Sequence, residues 1–241
     1  MIDVYDEIKE KMFTLCKDEN LLDQPVRVRT RVLTAEEAIG NPEADDFPLQ
    51  KGKERLMQAK FFDSAGQAFT DRYGDFEGIL EDVLAMNLEN NFRRAVFVAT
   101  LNAVLRHTNR ISGTVHCRDL GPKSCAIEMV HYLKDRYGLV KIAQIGFQPR
   151  IVESLAPEFP LRVLDLDPEN IGNRRFEITI EGQENTEDAV EWADLLLVTG
   201  TTLVNNTIGY FVKKKPLIFY GTTIAGAAHL MSWDRFCASS T

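Results

Sequence analysis

Cysteine is scarce: the four that occur (Cys16, Cys117, Cys125 and Cys237) are too few to staple 241 residues. A reducing, cytoplasmic setting is therefore expected. There is no CxxC pair, so the tight ligand spacing of a structural zinc site is missing. Nor is there a G-x-G-x-x-G fingerprint, a Walker phosphate loop, a G-x-S-x-G elbow or an H-E-x-x-H helix. No run of about 18 apolar residues occurs, so no membrane span or membrane partner is expected. The start, MIDVYDEIKE, is charged and amphipathic and does not read as a secretory signal. Basic surplus is also lacking. The chain carries 28 basic and 36 acidic side chains, 15 against 20 in residues 1–110 and 13 against 16 in residues 111–241. No segment forms a phosphate-backbone rail, so no nucleic-acid partner is expected.

What is present is enough hydrophobic residue, 44%, for a real core. Asp3 is placed to cap a helix whose apolar residues Val4, Ile8, Met12 and Leu15 share one face. After Pro25, residues 26–33 alternate with period two and predict a strand with one wet face. Arg27, Arg29 and Arg31 on that face read as solvated charge, with an anion-facing sheet as the alternative. Residues 39–49 are rich in turn formers and predict a loop. Glu43, Asp45 and Asp46 in it are either solvated acids or ligands to a hard cation. Residues 54–62 and 66–70 predict a hairpin, and helices are expected over 76–88 and 90–107. The second of these is apolar nearly all round, which predicts burial between layers.

The pattern changes near residue 110. Strands are expected over 140–145, 161–166, 194–199 and 216–220. Helices are expected over 124–137, from Pro149, over 186–193 with Thr186 as cap, over 203–213 and from Ala225. Strands alternating with helices predict a parallel sheet covered on both faces, Rossmann-like in arrangement. The fold class is α/β: an α+β domain over residues 1–110, then a Rossmann-like domain over 111–241.

Ligands of open parallel sheets bind beyond the carboxyl ends of the strands. That rule singles out Gly146, Phe147, Gln148 and Pro149; Asp165; Thr199, Gly200, Thr201 and Thr202; and Gly221, Thr222 and Thr223. Asp165 stands where an acid can accept hydrogen bonds from a ribose diol, or where it simply caps local backbone. Thr201, Thr202, Asn205 and Asn206 flank a helix start, where capping is the plainer role. His116 is the candidate group for proton transfer, and His116 with Cys117 is the candidate metal pair, because imidazole and thiolate suit zinc-like ions. Cys125 reads as a small hydrophobe.

Several motifs resemble one family. They are Gly40-Asn41-Pro42, Asp46-Phe47-Pro48-Leu49, Lys51-Gly52-Lys53, Leu56-Met57, Gly66-Gln67-Ala68-Phe69-Thr70-Asp71, Gly113-Thr114-Val115-His116-Cys117 and Gly221-Thr222-Thr223-Ile224-Ala225-Gly226. In these the chain resembles the heavy-metal chelatases. The resemblance implies an enolase N-terminal-like domain followed by a Rossmann-like one, with the site in the cleft between them. The second domain is not a barrel, so enolase chemistry does not carry over. The first domain would then supply a lid from residues 45–52 together with Thr70 and Asp71.

Three functions stay open. The first is binding of a small molecule or metal complex in the interdomain cleft, with a role in heavy-metal chelation. The second is an enzyme using a nucleotide-bearing cofactor such as S-adenosylmethionine or NAD, for which the missing glycine fingerprint counts more against NAD. The third is a non-catalytic metal-handling assembly protein. The ligand would be a transition metal or a nucleotide-type molecule, and a homo-oligomer is compatible with each.

Overall fold

A computed structural model describes residues 4–22, 27–34, 36–37 and 54–241. The cap at Asp3, the loop over 39–49 with its acids Glu43, Asp45 and Asp46, and the 45–52 lid lie outside the described residues.

Helix α1 (Val4–Asp18) buries Tyr5, Ile8, Met12, Leu15 and Cys16, spaced to share one face. Strands β1 (Arg27–Val32), β2 (Arg55–Phe61), β3 (Ser64–Thr70) and β4 (Phe76–Ile79) form an antiparallel sheet in the order β3-β2-β1-β4. The hairpin turn falls at Phe62 and Asp63, beginning one residue before the break expected between the two runs, with Phe62 at φ 51°. The helix expected over 76–88 is corrected: residues 76–79 pair with β1 as a strand, and only α2 (Leu80–Ala85) is helical. Tertiary pairing has overridden the local pattern there.

Helix α3 (Asn91–His107) is the hub. Every residue from Arg94 to Leu105 is buried, as expected of a helix without a polar face. One side lies on β2 and β3 at very close range. A Cβ on Gly66 would stand 2.2 Å from the Ala103 nitrogen and 2.3 Å from the Ala99 oxygen, so only glycine fits. The other side meets the second sheet's helices.

The second half contains α4 (Gly121–Tyr137), β5 (Ile142–Ile145), α5 (Pro149–Leu155), β6 (Leu161–Leu164), β7 (Arg174–Arg175), β8 (Ile178–Glu181), α6 (Thr186–Trp192), β9 (Leu195–Thr199), α7 (Thr201–Val204), α8 (Ile208–Phe211), β10 (Leu217–Tyr220), α9 (Ala225–Met231) and β11 (Arg235–Phe236). The sheet order is β11-β10-β9-β5-β6-β8-β7, parallel except for the β7–β8 pair. Leaving out β7, the order is that of a doubly wound sheet, reversing between β5 and β9. The expected helix over 203–213 is two short helices broken at Asn205–Thr207, where Asn206 adopts φ 59°. Thr186 is the first residue of α6 rather than its cap; Asn185 holds that position without a side-chain cap bond. Helix α4 begins at Gly121, three residues before the expected start, with Pro122 in its first turn.

One face of the parallel sheet (Ala143, Leu196, Val198, Phe219) shares a continuous core with α1, α3 and the antiparallel sheet. The opposite face packs with α4 and α5 in a second cluster. Among the described residues no helix is long and apolar enough to cross a membrane.

Candidate functional site

At the point where strand order reverses, a cleft of about 1060 Å³ opens beyond the carboxyl ends of the parallel strands. Its floor is built from the ends of β5, β6, β9 and β10. Gly146 follows β5 at φ 92°. A Cβ there would lie 2.7 Å from Thr199 Cγ2, so glycine is required by both backbone and space. Tyr220 Oη donates to the Gly146 carbonyl (2.7 Å) and, more weakly, to that of Ile145 (3.2 Å), tying β10 to the β5 loop. Burial pushes the Tyr220 phenol well above its ordinary range.

Asp165, just after β6, clamps two loops. Its carboxylate accepts from the Phe147 amide (2.6 Å) and the Asp167 amide (2.7 Å). Burial raises its pKa, and those amides pull it back down. Thr202 Oγ1 donates to the Thr199 carbonyl (2.7 Å), and the hydroxyls of Thr199 and Thr201 stand 3.2 Å apart. Gln148 Oε1 accepts from the Ile151 amide (2.8 Å) and so caps α5.

The wall facing this floor comes from the antiparallel sheet. Glu54 precedes β2, Phe69 belongs to β3 and Asp71 follows it. Asn91, at the start of α3, donates to Asp71 Oδ1 (2.6 Å) and reaches Asn205 Oδ1 (3.4 Å) across the cleft. His116 sits edge-on to Phe69, ring centres 5.3 Å apart, and its amide donates to Gln67 Oε1 (2.7 Å). Beyond β8, Glu184 and Glu187 complete the rim.

Of the residues singled out from sequence, Gly146, Phe147, Gln148, Asp165, Thr199, Gly200, Thr201, Thr202, Gly221, Thr223, Asp71 and His116 line this one cleft. Four others do not. Pro149 is buried at the first turn of α5. Thr222 is fully buried. Thr70 spends its hydroxyl on the backbone of Arg72. Cys117 is buried outside the cleft, so it and His116 face different surroundings. Thr223 is nearly buried too, accepting from the Phe69 amide (3.1 Å), so it joins the two sheets as well as edging the cleft.

Glu54, Asn91, Glu184, Glu187 and Tyr220 were not marked by sequence as ligand groups. Glu54 carries no local signal, because its position opposite β6 is a product of tertiary packing. Glu184 and Glu187 follow β8, which the alternation over 176–181 could have disclosed.

The charge in this cleft is one-sided. Besides the phenols of Tyr210 and Tyr220, its ionisable lining among the described residues is Glu54, Asp71, Asp165, Asp167, Glu184, Glu187 and His116, with no lysine or arginine. Half-buried Glu54 shows the effect: burial, then the charges of Asp165, Asp71 and Asp167, push its carboxyl up to about 7. Among the described residues, no three His, Cys, Asp or Glu side chains are grouped to hold a metal ion by themselves.

No curated protein matches the chain. Among solved structures it is similar to a DUF364 protein of unknown function from Pyrococcus horikoshii, with a TM-score of 0.56 at 15% identity over 91% of this chain and 79% of that one. It is also similar to a DUF364 protein of unknown function from Desulfitobacterium hafniense, with a TM-score of 0.50 at 14% identity over 73% and 72%. At such identities the likeness speaks for the fold. Residues 130–225 match the model of a family described as "Putative heavy-metal chelation", and that family, DUF364, is the one the sequence motifs resemble.

Proposed function

We propose that this chain binds a positively charged small molecule, foremost a metal complex, in the cleft between its two sheets. The observation that carries the reading is the lining of six carboxylates and His116 without a cationic side chain among the described residues. Carboxylates gathered in a partly desolvated cleft repel one another, and a bound cation relieves that repulsion. The family description, heavy-metal chelation, fits a cationic ligand. Because no three donors are grouped to grip a bare ion, the expected cargo is a metal that keeps some ligands of its own. Glu54, Asp71 and Asp167 would hold its charge. His116 would offer a nitrogen donor or move a proton.

Untagged protein tests this by native mass spectrometry and elemental analysis. Retained metal or metal complex, lost on Glu54→Gln, is the expected result. Metal below about a tenth of an equivalent, with no thermal stabilisation by any added divalent cation, overturns the reading.

One further observation favours a second reading, an enzyme using a nucleoside cofactor. Asp165 follows the second parallel strand, where doubly wound folds hold a ribose. The acidic lining suits the sulfonium of S-adenosylmethionine and opposes the pyrophosphate of NAD. Thermal shift with both cofactors at millimolar concentration separates them: stabilisation by adenosylmethionine alone supports it, and none by either removes it. A metal-handling assembly protein would instead show metal-dependent oligomerisation without turnover.

A further inference from the structure

A buried cation stands behind the acidic lining of the cleft. Arg94 is the only Lys, Arg, Asp or Glu among the described residues that is buried. It follows Asn91 by three positions on α3, so the two side chains share a face of the helix. Its guanidinium donates through Nε to the Val204 carbonyl (2.6 Å), through Nη1 to the Leu88 carbonyl (2.7 Å) and through Nη2 to Asn91 Oδ1 (2.5 Å). None of these acceptors is a carboxylate. A guanidinium can only donate and an ionised carboxylate can only accept, so the Asn91 amide is locked in one orientation. Its oxygen faces Arg94, and its Nδ2 faces Asp71 Oδ1 (2.6 Å) and Asn205 Oδ1 (3.4 Å).

We propose that Arg94 is a positioning residue for the cleft: it orients Asn91, and through Asn91 it holds Asp71 and Asn205 in the arrangement that receives a cation. The inference rests on the reading that the cleft takes a cationic ligand. Holding Asp71 by Oδ1 leaves Oδ2 without a partner among the described residues and open to the ligand's charge. On the other wall, the Val204 carbonyl ends the four-residue helix α7, which leaves its last carbonyls unpaired. Arg94 bonds that carbonyl. The chain then breaks at Asn205–Thr207, with Asn206 at φ 59°, and Asn205 is tied to Asn91. One guanidinium therefore sets both walls of the cleft at this end.

A mere brace and a positioning residue make different demands. Burying a guanidinium with no carboxylate among its hydrogen-bond partners costs stability. An apolar side chain of similar length would pack α3 against α7 without that cost. What it could not do is fix the Asn91 amide. Without Arg94 the amide is free to turn its oxygen toward Asp71, and two oxygens would repel where a donated bond now stands. Lysine keeps the charge but lacks the planar fork, so it cannot serve three acceptors in three directions. The charge that Arg94 governs is that of Asp71, so its effect on a bound cation should pass through Asp71.

Titration calorimetry of the full chain with hexaamminecobalt(III), a cation that keeps its own ligands, tests this on wild type, Arg94→Lys, Asp71→Asn and the double variant. Asp71→Asn should weaken binding about tenfold, as loss of a charge-assisted contact would. Arg94→Lys should weaken it about fivefold, the size of coupling expected within one hydrogen-bond network. The double variant should bind no more weakly than Asp71→Asn alone. A brace acting on the cleft as a whole would instead give losses that multiply. Multiplied losses, or wild-type affinity in Arg94→Lys, would overturn the proposal and leave the cationic reading of the cleft standing. Wild type that takes no hexaamminecobalt(III) would remove that reading and this inference with it. Where Arg94→Lys does not fold, Asn91→Ala takes its place in the same cycle, because Arg94 acts through Asn91. A loss alone and none beyond that of Asp71→Asn is then the expected result, and a full further loss in the Asp71→Asn background overturns the proposal.

Discussion

Asn102 and Glu54 both stand where the antiparallel sheet faces the parallel one, and their surroundings are opposite in kind. Asn102, fully buried on α3, donates through Nδ2 to the carbonyls of Gln67 (2.9 Å) and Thr222 (3.1 Å), with Thr223 also in range (3.2 Å). Its Oδ1 accepts from the Gly226 amide (2.7 Å). One side chain thus ties α3 to β3, to the turn after β10 and to α9, with both ends of the amide used. Glu54 meets mainly other carboxylates, and its ionised form is disfavoured. A polar group whose bonds are all made holds a fold together. One kept among like charges costs stability, and such arrangements concentrate at binding sites.

Removing Asn102 should have the largest effect. Asn102→Ala leaves buried carbonyls and the Gly226 amide without partners, so a loss of about 4 kcal/mol is expected. For a chain of this size that is a fall in melting temperature of roughly 10 °C. Asn102→Asp should be nearly as damaging, because a carboxylate cannot donate to the three carbonyls. Melting within a couple of degrees of wild type would erase the distinction between the two sites.

Asp165 is intermediate, since it both braces and lines. Asp165→Ala strips the Phe147 and Asp167 amides of their acceptor and should cost about 2 kcal/mol. It should also lower retention of a cationic ligand by about tenfold, as loss of a charge-assisted contact would. Urea denaturation and native mass spectrometry on one sample check both halves. Lost stability with unchanged retention would assign Asp165 to the Asn102 class.

How much of this was legible beforehand follows the same division. Strands β5, β6, β9 and β10 showed as apolar runs, and the rule that ligands sit beyond their carboxyl ends led to Gly146, Asp165, Thr199 and Gly221. The burial of α3 showed in its missing polar face. Strand β4 did not show, because pairing with β1 decides it and the local pattern reads as helix. Nor did the two-residue strands β7 and β11, which exist only by lying beside a neighbour. Glu54 is the clearest omission. Its chemistry depends on Asp165 and Asp167, more than a hundred residues away in sequence.

Glu54→Gln should move stability the other way, and only over part of the pH range. Burial and then the neighbouring carboxylates push this carboxyl from its ordinary 4.5 up to about 7 in the folded chain. An acid with a raised folded pKa carries no penalty below about 4.5, and the penalty grows as pH rises through about 7. The variant should therefore match wild type at pH 4 and exceed it by about 1–2 kcal/mol at pH 8, after allowing for partial exposure. Cation retention by wild type should strengthen over the same window, because binding expels the Glu54 proton. Melting curves of both proteins from pH 4 to 8 check this, and a constant offset would show that Glu54 is not strained.

The smallest effect is expected at the rim. Glu187 lines the cleft mouth but is exposed. Its charge is solvated, and salt screens it over a Debye length of about 8 Å at physiological ionic strength. Glu187→Gln should leave stability within about 0.5 kcal/mol of wild type. It should weaken a cationic ligand only about twofold at low salt, because an exposed charge contributes well under 1 kcal/mol. That difference should vanish near 1 M salt, where the Debye length falls to about 3 Å. The Glu54→Gln effect on retention should survive, because a half-buried charge is screened far less. Titration calorimetry of both variants at low and high salt measures the contrast. Equal salt sensitivity would mean that the cleft attracts cations through its overall negative field, with no preferred seat at Glu54.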